Sequence, residues 1–137
     1  MAKKVHLEIP SGLNRIETWL KTASVAGLHG DWATVVSGYA KVATSAAALL
    51  IGVIDADWTN DANNSAVPIR IDENAIYKME QATTLVQATH VGNAYNLSDE
   101  RTLDLTGTSN KPLVVVGIAP DGDAFVRINK HLGSGTL

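Results

Sequence analysis

The sequence predicts an all-β fold, a small β-barrel or sandwich built from hairpins. One phrase occurs twice. Leu49–Leu50–Ile51–Gly52–Val53–Ile54 runs into an acidic loop and emerges as Val67–Pro68–Ile69–Arg70–Ile71. Leu113–Val114–Val115–Val116–Gly117–Ile118 runs into Pro120–Asp121–Gly122–Asp123 and emerges as Phe125–Val126–Arg127–Ile128. Short alternating or β-branched segments also recur along the chain, joined by loops rich in Gly, Asn and Asp, which is the pattern of stacked hairpins. The doubled phrase fits either a duplication or a chance echo of hairpin grammar. Helical signal is confined to one or two short turns.

Taken in order, Val5–His6–Leu7–Glu8–Ile9 alternates as a half-buried strand does, and Pro10–Ser11–Gly12 ends it with turn chemistry. Asn14 to Val25 fits both helical and strand spacing. Thr18, Thr22, Ser24 and Val25 are poor helix formers and favour an extended arm. Trp32 to Val36 and Tyr39 to Ala43 read as strands about a Ser37–Gly38 turn. Leu49 to Ile54 reads as a strand buried on both faces, with Gly52 marking a bulge or a close backbone approach. Asp55 to Ser65 is a long polar loop. Val67 to Ile71 is a strand whose Pro68 belongs at a sheet edge or at the strand's first residues. Asn74 to Met79 is a strand, and Leu85 to Ala88 offers one or two helical turns. Val91 to Leu97, Leu103 to Leu105 and the hairpin Leu113–Ile118/Ala124–Ile128 complete the set. The domain reading is an N-terminal arm at 1–28, a β-rich body at 29–132 and a flexible C-terminal tail at 133–137.

Composition narrows the function classes. A chain of 137 residues fits one domain with a real core. The net charge is −3 with scattered Lys and Arg, so no basic stripe for nucleic acid is present. Without cysteine there is no disulfide or thiolate chemistry. No window approaches the ~20 apolar residues of a membrane-spanning helix. The first residues lack an apolar signal region, so synthesis in a cytosol is expected.

The second half resembles the C-terminal half of small β-rich capsid decoration (cement, or head-stabilising) proteins of tailed bacteriophages. The residues that carry the resemblance are Val91–Gly92, Tyr95 and Leu97, then Leu103–Asp104–Leu105, Asn110–Lys111, Val115–Val116–Gly117 and Val126–Arg127–Ile128–Asn129. The resemblance covers roughly residues 35 to 131. It implies a structural virion protein on the outer capsid surface that clamps neighbouring subunits of the major capsid protein, as a homo-oligomer with a trimer favoured. It implies no catalytic residues, because the family has none.

The candidate chemistry is sparse. Asp55, Asp57 and Asp61 are the best metal candidates. An EF-hand loop counted from Asp55 needs Gly and Glu where Asn60 and Ala66 stand, so a solvated acidic loop is expected and no metal is assigned. His6, His29, His90 and His131 have no metal-ligand spacing. No Gly-x-Ser-x-Gly elbow or phosphate loop occurs. The expectation is a protein that is not an enzyme and has no cofactor. Asp99–Glu100–Arg101 reads as an exposed turn. Trp32 reads as core, whereas Trp19 and Trp58 either fold back on the domain or fill a partner's pocket.

Residues 1–28 hold much apolar surface in a segment of weak local structure. Burial contributes about 1.5–3 kcal/mol per large side chain, against about 1–2 kcal/mol per residue for ordering the backbone. The arm therefore orders only where many contacts act together, by strand addition to its own body or to a neighbour. Val5, Leu7, Ile9, Ile16, Trp19, Leu20 and Trp58 are the candidate partner-contact residues. On this reading, deleting residues 1–20 leaves a folded body that no longer binds capsids. The competing reading, a carbohydrate- or ligand-binding β-module, needs clustered aromatics, which a content of 5% disfavours.

Overall fold

The computed structural model describes residues 3–9, 15–72, 74–106 and 109–129. The expected tail at 133–137, and His131, lie outside the described residues. The fold is all-β: β1 (His6–Ile9), β2 (Arg15–Leu20), β3 (Trp32–Val36), β4 (Tyr39–Val42), β5 (Gly52–Ile54), β6 (Ala66–Ile71), β7 (Ile76–Gln81), α1 (Gln87–His90), β8 (Ala94–Leu97), β9 (Thr102–Asp104), β10 (Leu113–Ile118) and β11 (Ala124–Ile128).

The strands form two five-stranded rings of the same topology. The first runs β2-β6-β5-β3-β4, and the second runs β7-β11-β10-β8-β9. Each is antiparallel except where its first strand meets its third. In the second ring that junction is the parallel β7–β9 ladder, which closes a barrel. In the first it is a single parallel bridge between Lys21 and Ala40.

The registers match as well as the order. Trp32 pairs with Val53, and Val53 with Arg70, in the first ring. Ala94 pairs with Val114, and Val114 with Arg127, in the second. Thr18↔Pro68 and Trp19↔Val67 correspond to Lys78↔Phe125 and Met79↔Ala124. The closing pair Lys21↔Ala40 corresponds to Gln81↔Leu103. Gly30 N donates to Ile54 O at 2.9 Å, as Gly92 N donates to Val115 O at 2.7 Å. Both glycines are left-handed, at φ +93° and +94°, a region that favours glycine.

The doubled phrase thus occupies the fourth and fifth strands of both rings, and its two arginines are equivalent. Its two glycines are not. Gly52 stands opposite Ala33, where the second ring has Leu113 opposite Tyr95. Gly52 is required by close approach, because a Cβ there would lie 2.1 Å from the Arg70 carbonyl oxygen.

Several expectations are corrected. The buried strand is only Gly52–Ile54, and Leu49 is half exposed outside it. Pro68 lies inside β6, between β2 and β5. It is tolerated because its missing N–H falls beyond the end of β5, where only its carbonyl is used, by Asp55 N at 3.1 Å. Arg101 is not in an exposed turn: its side chain pairs with the buried carboxylate of Asp31 across the two rings. Of the arm at 1–28, the described residues 3–9 and 15–28 lie on the protein's own body, the first of the two modes of strand addition expected for it. β1 pairs with β7 and β2 is the first strand of the first ring. Removing residues 1–20 therefore takes a strand from each sheet.

The rings share a continuous core. Trp32, Val53 and Leu50 of the first ring pack in one buried cluster with Tyr77, Leu97, Leu113, Val115 and Val126 of the second. A smaller cluster, Ala33, Ala40, Ile54, Trp58, Val67 and Ile69, fills the first ring.

Candidate functional site

The seven residues expected to contact a partner separate by side-chain direction. Val5 is buried in the shared core, and its N–H donates to Gly30 O at 2.7 Å. Leu7 packs against the same core. Trp58 is also buried. It bridges to Gly27 and fills the first ring, so close that a Cβ on Gly27 would lie 2.8 Å from the indole. A Trp in a polar loop has here folded back on its own domain. Val5 and Trp58 are thus corrected from partner contacts to core. Trp19 is half buried against the smaller cluster. Ile9, Ile16 and Leu20 remain on the surface, 57%, 48% and 52% exposed.

These exposed residues follow the strand alternation of β2, in which Ile16, Thr18 and Leu20 share the outer face. On the inner side Arg15, Glu17 and Trp19 line a groove of about 270 Å³ floored by Leu49, Ile71 and Ile128. Arg15 pairs with Glu17 at 2.8 Å. An edge strand that no described strand covers at Ile16–Thr18, with aliphatic side chains outside and a groove of mixed lining beside it, is suited to contact with another protein surface.

The acidic loop is tied to the body. Asp55 pairs with Arg70 at 3.2 Å, Asp57 accepts the His29 N–H at 2.8 Å, and Asp61 pairs with Lys21 at 3.4 Å. Lys21, absent from the expected set, is fully buried and also donates to Asn63 O at 3.3 Å. Its outline in sequence is an ordinary surface lysine, and only the ring closure brings it inside. Among the described residues no group of three His, Cys, Asp or Glu is placed to hold a metal ion.

A larger cavity of about 450 Å³ lies in the seam between the rings, lined among others by Lys4, His29, Asp55, Arg70 and Tyr77. Lys4 Nζ is 3.3 Å from His29 Nδ1. The Tyr77 hydroxyl is buried and has no hydrogen-bond partner among the described residues. Burial, with the nearby Asp72 charge adding to it and Arg70 opposing, pushes its ionisation up to about 12. An unfolded tyrosine ionises near ~10. The unfolded chain therefore loses this proton first. This phenol leaves stability unaffected below about pH 10 and lowers it as pH rises toward about 12. Tyr77→Phe should flatten that decline in a series of thermal melts, and an unchanged slope would count against the buried phenol as its source.

Comparison with protein-family models finds no match, and comparison with curated proteins finds none either. Among the described residues no helix is long and apolar enough to cross a membrane.

Proposed function

We propose that this chain is a structural virion protein that binds the outside of a phage capsid and stabilises the shell by bridging major capsid protein subunits. The observation that carries the reading is the aliphatic surface left around β2, with Ile16 and Leu20 outside and Leu49 beside the groove. The family pattern at residues 91–129 supports it from the sequence side. A shell repeats one modest contact many times, so no single tight pocket is needed. On this reading the protein is made in the host cytoplasm and resides on the outer capsid surface as a homo-oligomer, a trimer being favoured, with neither nucleic acid nor membrane as partner.

A carbohydrate-binding module is the second reading, and the placement of the aromatics weighs against it. Trp32 and Trp58 are buried and Trp19 is half buried, which leaves them no exposed stacking platform. Incubating the purified protein with empty capsids tests the choice. Saturable binding at a fixed ratio to the capsid protein, weakened at least tenfold by Ile16→Lys with Leu20→Lys, is the expected result. Absence of capsid binding by the folded wild-type chain, with specific retention on a glycan array, would overturn it.

A further inference from the structure

The equivalence of the two rings exposes a vacancy in one of them. In the second ring the free side of β7 is covered by β1, through His6↔Lys78, Leu7↔Tyr77 and Ile9↔Ile76. By the matched registers the same three positions in the first ring are Thr18, Glu17 and Ile16 of β2. Among the described residues no strand pairs there. The strand partner of β2 is β6, and β4 reaches it only at Lys21.

The main chain of β2 is turned the right way for a further strand. Lys21 N donates to Ser65 O, on the side toward β6, and Thr22 N donates to Ala40 O, on the side toward β4. Alternation along a strand then directs the N–H and C=O groups of Glu17 and Trp19 toward β6, and those of Ile16 and Thr18 toward the open side. The one protection of an edge on this stretch is an inward charged pair that neutralises itself, Arg15 with Glu17 at 2.8 Å. The outer face carries Ile16, Thr18 and Leu20 and no charge, and the charged pair Arg15–Glu17 lies on the groove side.

We propose that the open edge of β2 is a homotypic docking site, filled by β2 of a second molecule running antiparallel about Glu17. That arrangement sets Ile16 of each molecule opposite Thr18 of the other, so that the outward main-chain groups of both are used. It also sets Arg15 of each molecule diagonal to Glu17 of the other, so the two ion pairs merge into an alternating set of four charges that offsets the Glu17–Glu17 approach. Ile16 and Leu20 then extend one aliphatic face across both molecules. The contact is two-fold. In a shell it would join copies in pairs, in addition to any three-fold assembly, and it does not rest on the capsid reading.

The contact is smaller than the ~1,200 Å² of a standard stable interface, so the test is sedimentation equilibrium of the full chain up to about 0.5 mM, where even a Kd of about 1 mM populates pairs measurably. The expected result is a concentration-dependent, even-numbered species. Thr18→Pro should abolish it and leave the circular dichroism spectrum unchanged, because Thr18 stands opposite Pro68 and its N–H is not used within the ring. Because the chain has no cysteine, Glu17→Cys provides an independent readout. Under mild oxidation it should give a covalent dimer, and Ala46→Cys, an exposed position away from β2, should not. A chain that stays monomeric throughout this range, an oligomer that survives Thr18→Pro, or equal cross-linking at both cysteine positions overturns the proposal. So does a monomer whose binding to capsids alone is lost on Thr18→Pro, which would assign the edge to a capsid strand.

Discussion

Trp32→Ala should lower the free energy of unfolding by about 3–5 kcal/mol, the range for removing a large aromatic from a packed core. Trp32 is fully buried at the start of β3, and its ring meets that of Tyr77 edge to face, with centroids 5.0 Å apart. It also stands opposite Val53, and its N–H donates to Glu100 O at 2.9 Å. The residue belongs to the first ring by sequence and to the shared core by packing. Its loss therefore acts on the junction of the rings and not on one of them. Urea unfolding followed by circular dichroism and by Tyr fluorescence checks this. A cost below about 1 kcal/mol would mean that the rings do not depend on each other through this core.

Arg101→Ala is the second large effect, with a loss of about 3–5 kcal/mol expected from leaving a buried carboxylate uncompensated. The Arg101 guanidinium pairs with Asp31, and both side chains are largely withdrawn from solvent. Arg101 Nη2 also donates to His29 O at 3.3 Å, and the other Asp31 oxygen accepts the Leu28 N–H at 3.1 Å. One ion pair therefore fastens the β8–β9 turn of the second ring to the entry of β3 in the first. Asp31→Asn in the Arg101→Ala background should recover much of the loss, because it removes the stranded charge. A double-mutant cycle measures this, and strict additivity of the two substitutions would rule out the coupling.

Much of the fold was legible in the chain. Alternation located β1, β8 and the hairpin β10–β11, and turn residues placed Ser37–Gly38 and Pro120–Asp123. The doubled phrase carried a true equivalence in Arg70 and Arg127, flanked by β-branched residues whose inward faces fill the two rings. The equivalence was blurred because the rings match in register with few identical residues, such as Gly30 with Gly92 and Val53 with Val114. A ladder constrains backbone spacing and the inward or outward sense of a side chain, and leaves its identity free.

The candidate site was half legible. Ile9, Ile16 and Leu20 were recognised as surplus apolar surface and are exposed, whereas Val5 and Trp58 carried the same signal and are core. Hydrophobicity along the chain measures how much surface needs covering and says nothing of what covers it. Arg101 and Lys21 failed in the opposite direction, since a charged residue in a polar loop gives no local sign that a distant carboxylate awaits it.

By itself the sequence determined that this chain makes short strands, where most of them turn, and that it carries no cysteine chemistry and no basic stripe. Only the tertiary structure decided that the strands form two five-stranded units of matching order, that β1 covers the free side of β7 in the second, and that among the described residues no strand covers the same side of β2 in the first. The physical reason is range. Turn angles and strand alternation are set within a few residues, but ring closure, ion-pair burial and edge coverage join groups tens of residues apart in the chain.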